Sequence, residues 1–303
     1  MTEKMFSKRE VCLKARSILI YGRSRAGKTA QIGELAEHVM KTTGKKTRLY
    51  TSDKGGVDTI KPHIDLGIID VVAQDDSDIF IFYNKAARGY IRQGGKWVLD
   101  PKANGEIGLY AFEGMTPFSD GIMEALAVKA GENVNIGGGA NVAFAVNGDG
   151  ETLKVSGNNM SHYNIAQMRV TGEVWQSQKL DAQYVLWTAS LSRDEDPNSS
   201  GKVTGPAVAG KALTAESLRW FNLSFRIDGI PASQGKPERH ILYLGNSVDQ
   251  AAGNAVVLGN TRTPLGSKDL PASLEPASLV KAIQLIDNAG VEALEALKKR
   301  MGK

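Results

Sequence analysis

Residues 17–29 read SILIYGRSRAGKT, and no other stretch limits so strongly what the chain can fold into. Ile18, Leu19, Ile20 and Tyr21 run straight into Gly22, and the spacing Gly22-x4-Gly27-Lys28-Thr29 follows at once. Behind it, across residues 30–41, Ile32, Leu35, Ala36, Val39 and Met40 recur at helical spacing. Strand, glycine-rich loop and helix form the context in which this spacing binds phosphate. Glycines let the backbone curl so that successive N–H groups point at anionic oxygens, at the positive end of the following helix. The predicted phosphate contacts are Gly22, Arg23, Ser24, Arg25, Ala26, Gly27, Lys28, Thr29 and Ala30. Lys28 is expected to reach the β- and γ-phosphates, and Thr29 to hold Mg²⁺. The ligand these residues predict is a nucleoside triphosphate. The base-reading Asn-Lys-x-Asp motif of GTPases does not occur, which favours ATP.

The 303 residues suffice for one large α/β domain or two small ones, with a full core. A chain that is 42% apolar and 23% charged is too hydrophobic for wholesale disorder. The one cysteine, Cys12, excludes a disulfide framework and a Cys-rich metal site, and suits a reducing compartment. The four histidines show no metal-binding spacing. There is no run of about 18 apolar residues, and the charged MTEKMFSKRE start lacks the apolar core of a signal peptide. The expected protein is soluble and cytoplasmic, without a membrane partner. A net charge of +4 permits nucleic-acid contact without requiring it.

Beyond the loop, strands are expected at 45–53, 67–74, 107–112, 184–189, 220–228 and 240–245. Strands alternating with helices imply a parallel sheet covered on both faces, with ligands at the carboxyl ends of its strands. Those ends are therefore the places to look for chemistry. Asp53 closes the second strand, and Glu113 closes IGLYAF. A carboxylate there either holds a metal near β- and γ-phosphates or caps the helix predicted from SDGIMEALA. The 184–189 strand ends in Thr188 and Ala189, with Ser190 next, and Arg193 beyond it is a candidate arginine finger for a neighbouring subunit. In residues 85–102, Lys85, Arg88, Arg92, Lys96 and Lys102 interleave with Tyr90 and Trp97. That is either a nucleic-acid surface or a solvated amphipathic face. Residues 131–157 read as a flexible loop with a hairpin, and 194–205 as a mobile loop. Residues 158–179 read as a helix in which His162 caps or packs. A proline-punctuated linker at 264–276 leads to a terminal helix over 279–300 that Gly290 is expected to break.

The order of these parts resembles the RecA-type ATPase core, and more narrowly the RecA-like ATP-binding proteins of tailed phages. GRSRAGKT matches the P-loop (Walker A) motif, and residues 111–116 stand where that family has its metal-binding strand end. Asp53 stands where the family places the Glu that activates the attacking water. Residues 157–167 follow a loop placed like the first DNA-binding loop, and 185–193 resemble the strand that couples the γ-phosphate to the second. Within 205–228, Lys211 falls where family members place a lysine that reaches the neighbouring subunit's phosphates.

The resemblance implies an α/β fold: a RecA-like P-loop NTPase core over 1–263, mainly parallel sheet with helices on both faces, with 131–157 as a flexible loop insertion. A linker and C-terminal helical tail would occupy 264–303. It implies a magnesium-dependent ATPase whose catalytic set is Lys28, Asp53, Glu113, Arg193 and Lys211, with Thr29 and Glu113 holding Mg²⁺. It also implies a homo-oligomer acting on single-stranded DNA in phage-type recombination, annealing or replication, in a bacterial host's cytoplasm. The chain departs from the family in having Asp at the base position and Glu at the metal position. The alternatives are a DNA-packaging or remodelling motor, and a nucleotide-dependent switch with little turnover.

Overall fold

The computed structural model describes residues 15–53, 55–74, 78–103, 105–132, 142–146, 152–156, 160–195, 202–208, 216–233, 237–245, 247–249, 255–257, 260–261 and 270–301. The glycine-rich loop joins strand β1 (Arg16–Gly22) to helix α1 (Lys28–Thr43). The main sheet continues with β2 (Lys46–Thr51), β3 (Ile69–Ala73), β4 (Ile107–Glu113), β5 (Tyr184–Ala189), β6 (Leu223–Ile230), β7 (Arg239–Tyr243) and β8 (Ser273–Leu274). Its spatial order is β8-β7-β6-β1-β5-β4-β2-β3, with the short strand Asn260–Thr261 also paired to β6. Every pairing from β6 across to β3 is parallel. Among the described residues of this sheet, the antiparallel pairs are those that β7, β8 and Asn260–Thr261 make. The chain is thus α/β with a mainly parallel mixed sheet.

The central strands β4 and β5 are buried along their whole length, and β1 at all but its first residue. A parallel sheet covered on both faces requires such continuous apolar runs. The covering helices are α1, α2 (Lys61–Asp65), α3 (Ile79–Ala86), α4 (Met115–Glu132), α5 (Met160–Ser177) and α6 (Leu279–Arg300). Alternation along β1 separates the two faces. Ile18 and Ile20 pack with Ile32, Leu35 and Val39 of α1 and with Leu279, Ile283 and Ile286 of α6. Leu19 and Tyr21 share the opposite core with Phe82 and Tyr83 of α3, Phe118 of α4 and Val170 of α5. Each such buried Leu, Ile or Val contributes roughly 1.5–3 kcal/mol relative to its exposed state.

Two expectations from the sequence need correction. Gly290 does not break the terminal helix, which runs unbroken over Leu279–Arg300. A helical glycine costs only about 1 kcal/mol relative to alanine. Against that stand the Ser278 hydroxyl, which accepts the Lys281 N–H at 3.1 Å, and the buried stripe Leu279, Ala282, Ile283 and Ile286. Lys298, Lys299 and Arg300 also suit the negative end of the helix. The expected loop at 194–205 has paired ends: Leu191–Glu195 lies antiparallel to Lys202–Pro206. That pair extends through Ala255–Val257 to Ser247–Asp249, making a separate four-stranded sheet. Val203 and Thr204 carry the β-branched side chains that favour extended backbone.

Within 131–157, the hairpin strands Val142–Val146 and Thr152–Ser156 pair antiparallel. The rest of that segment beyond Glu132, the leading residues 1–14, the linker residues 264–269 and Lys211 lie outside the described residues.

Candidate functional site

The register of the sheet lines up its carboxyl edge. Gly22 stands opposite Ile227, Tyr21 opposite Ala189, Thr188 opposite Glu113, and Glu113 opposite Thr51. The loop rises from the middle of this row. Gly22 fits where nothing larger can: a Cβ there would lie 2.2 Å from the Ile227 carbonyl oxygen on β6. The Ala26 N–H donates to the Arg23 carbonyl at 3.3 Å, and Gly27, at φ 93°, turns the chain into α1. Arg23, Ser24 and Arg25 form an exposed apex and Ala26 is buried beneath it. His240 on β7 supports the loop from the side, its Nδ1 lying 3.0 Å from the Ala26 carbonyl oxygen. A carbonyl can only accept, so this geometry assigns the proton to Nδ1.

Lys28 lies along the inside of the loop, where its ammonium donates to the carbonyls of Gly22 at 3.0 Å and Arg23 at 2.8 Å. Burial pulls its pKa down, and the charges of Glu113 and Asp53 pull it back up. The Thr29 hydroxyl donates to Glu113 Oε1, and Thr51 Oγ1 lies 3.2 Å from Glu113 Oε2. Glu113 is only 6% exposed. Burial raises its pKa, the Thr29 and Thr51 hydrogen bonds lower it, Asp53 raises it and Lys28 lowers it, with burial prevailing.

Asp53 is exposed, and its Oδ1 accepts the N–H groups of Gly55 at 3.0 Å and Gly56 at 3.1 Å. A Cβ on Gly56 would lie 3.1 Å from Asp53 Oδ2 and 3.5 Å from Glu113 Oε1, so the two carboxylates converge on one point.

The structure therefore brings together the loop residues Gly22–Ala30, Thr29, Asp53 and Glu113. Glu113 directs its carboxylate to Thr29 and Thr51. Arg193 lies on Leu191–Glu195, opposite Thr204. Thr51, Ser52, Tyr83 and His240 were not singled out by the sequence. Thr51 and Ser52 stand at a strand end and could have been found by the same rule that found Asp53. Nothing local marks Tyr83 or His240.

Basic residues 85–102 are largely spoken for within the fold. Arg88 pairs with Glu173 at 2.6 Å and Lys102 with Asp70 at 2.7 Å. Lys85 lies 5.1 Å from the ring centre of Tyr90, and Arg92 lies 5.7 Å from that of Trp97. These contacts favour the amphipathic-face reading of the stretch. His162 is buried, at 4% exposure, which fits a packing role.

A cavity of about 620 Å³ opens on the β7 side of the loop, away from Glu113. Gly27, Ala30 and Gln31 line one wall, and Arg239, His240 and Pro276 line the other. The Thr29 hydroxyl and the Glu113 carboxylate are hard oxygen donors, the kind Mg²⁺ prefers. Among the described residues no group of three or more His, Cys, Asp and Glu side chains is placed to hold a metal. A cation at Thr29 and Glu113 would thus draw further ligands from phosphate and water, as Mg²⁺ commonly does.

No protein-family model matches the chain, and no curated protein matches it. Among the described residues no helix is long and apolar enough to cross a membrane.

The raised pKa of Glu113 has a consequence for stability. An acid whose folded pKa exceeds its unfolded value, here 4.5, takes up a proton on folding. Its contribution favours the folded state below that value and is lost as pH rises through the raised folded pKa. Glu113→Gln, which keeps the shape without the charge, is expected to melt higher than the native protein at pH 8. The gap should close as pH falls towards 4.5, and thermal melts of both proteins across pH check this.

Proposed function

We propose that the chain binds ATP with Mg²⁺ and hydrolyses it, as a RecA-like P-loop ATPase acting on single-stranded DNA. The observation that carries the nucleotide part is the convergence of Lys28, Thr29 and Glu113 around a strand–loop–helix junction. The loop N–H groups and the positive end of α1 receive the phosphates. Lys28 exchanges its two loop carbonyls for phosphate oxygens, a charge-assisted contact. Thr29 and Glu113 would hold Mg²⁺, which would neutralise charge on the β- and γ-phosphates. Asp53, converging with Glu113 beside them, orients the attacking water. The nucleoside half extends along Ala30 into the cavity between α1 and β7, where His240 and Pro276 offer flat faces. Preorganised charge does most of the work, as in phosphoryl transfer generally.

The role on DNA rests on the resemblance of residues 157–228 to the RecA-type loops and strand. One observation supports the switch reading beside it. Asp53 Oδ1 is committed to the amides of Gly55 and Gly56, so only Oδ2 is left for water. Turnover is accordingly expected to be slow in the isolated protein.

Phosphate release, measured at low salt with single-stranded DNA, with duplex and with neither, separates the readings. Stimulation by single strands is the expected result. Stimulation by duplex alone moves the packaging-motor reading ahead. Saturable ATP binding without phosphate release under all three conditions overturns the hydrolytic part and leaves the switch.

A further inference from the structure

We propose that Tyr83 is a positioning residue for Glu113, fixing the strand end that carries the carboxylate from beneath the site. The inference rests on the reading of Glu113 as the metal-side acid. Tyr83 belongs to α3, whose start is set by Asp78: its Oδ1 accepts the N–H groups of Phe80 at 2.6 Å and Ile81 at 3.3 Å. From there the Tyr83 ring enters an aromatic cluster, 5.0 Å from the ring centres of Phe82 and Phe118 and 5.7 Å from Trp187. Trp187 in turn stacks on Phe112, the residue before Glu113, at 4.6 Å. The side chains of Phe82, Tyr83, Phe112, Phe118 and Trp187 are almost completely buried, so the ring cannot turn without displacing its neighbours.

At the end of this ring, the phenol O–H donates to the backbone carbonyl of Glu113, and Ser52 Oγ lies 3.2 Å from the same phenol oxygen. Burial holds the phenol pKa well above its usual value, so the group stays a donor at every physiological pH. The chain then turns through Gly114, at φ +124°. A Cβ there would lie 2.5 Å from the Tyr83 oxygen and 2.6 Å from Ser52 Oγ. The turn is threaded through a gap that only glycine fits.

Glu113 is therefore held twice, its carboxylate by Thr29 and Thr51 and its main chain by Tyr83. The Thr29 hydroxyl has one proton and two lone pairs, so it can donate to Glu113 and still offer its oxygen to a cation. A cation there would draw on both Thr29 and Glu113, and the phenol fixes the strand end from which the Glu113 carboxylate would reach it. Tyr83 touches no reacting group itself. It acts through Glu113.

Tyr83→Phe deletes one oxygen and keeps the packed ring. The test is the binding of a fluorescent ATP analogue, with Mg²⁺ titrated at fixed nucleotide and with a metal-free measurement alongside. Loss of one buried hydrogen bond should raise the half-saturating Mg²⁺ concentration about five- to tenfold. Metal-free affinity should stay unchanged. Trp187→Phe, which loosens the same cluster but spares the phenol, should lower the melting temperature and shift the Mg²⁺ titration much less than Tyr83→Phe does. An unchanged titration in Tyr83→Phe overturns the inference. So does an equal fall in metal-bound and metal-free affinity, or the same Mg²⁺ shift in Trp187→Phe. Those results leave the proposed function standing, whereas a native protein that binds no nucleotide overturns both.

Discussion

Lys28→Ala is expected to weaken ATP binding between about tenfold and a hundredfold, with little change in thermal stability. Hydrogen bonds to charged groups contribute about 1.5–3 kcal/mol, and about 1.4 kcal/mol is a factor of ten in affinity. The ammonium makes two such bonds inside the loop already, to Gly22 and Arg23, so its geometry for an anion is set in advance. Those bonds offset the desolvation that depresses its pKa. Alanine removes the bonds and the half-buried charge together, which is why stability should hardly move while affinity falls. Fluorescence anisotropy with a labelled nucleotide, run beside a thermal melt, separates the two effects. Unaltered affinity would remove Lys28 from the site.

Gly22→Ala is expected to do the reverse and damage the fold itself. The added Cβ would lie 2.2 Å from the Ile227 carbonyl oxygen and 2.9 Å from its Cγ2. The carbonyl is backbone in a parallel partner strand, with Gly22 and Ile227 in register, so it cannot swing away as a side chain would. Strands β1 and β6 must separate at the point where the loop begins. Overpacking in a core usually costs about 1–3 kcal/mol, and a backbone clash belongs at or beyond the upper end. Gly172→Ala in α5 is the control, since nothing beyond the adjoining backbone of its own helix lies within 4 Å of the new Cβ. It should stabilise by about 0.5–1 kcal/mol. Urea midpoints of the two variants should therefore move in opposite directions. Equal midpoints for Gly22→Ala and the native protein would show that β1 and β6 can part there without penalty.

The parts of the site legible in the sequence are those with local causes. The loop declares itself because Gly22, Gly27, Lys28 and Thr29 must stand at fixed spacing between a strand and a helix. Glu113 and Asp53 declare themselves because each closes a predicted strand, and the ends of parallel strands share one edge. What the sequence does not declare comes from packing between distant segments. Tyr83 reaches Glu113 across 30 positions, and His240 reaches Ala26 across 214. No periodicity in either segment encodes these contacts. The Gly290 error has a similar origin: a local helix breaker was outweighed by the docking of Leu279, Ile283 and Ile286 onto α1. In residues 85–102 composition leaves both a nucleic-acid surface and a solvated amphipathic face open. The partners that occupy Arg88 and Lys102, Glu173 and Asp70, lie 85 and 32 positions away.

The loop from Gly22 to Ala30 is proposed to hold a triphosphate. Calorimetric titration of the native protein with ATP and Mg²⁺, repeated in the presence of inorganic tripolyphosphate, tests it most directly. Saturable binding at one site per chain, displaced by tripolyphosphate, is the expected result. An absence of saturable binding, or binding that tripolyphosphate leaves untouched, would contradict it.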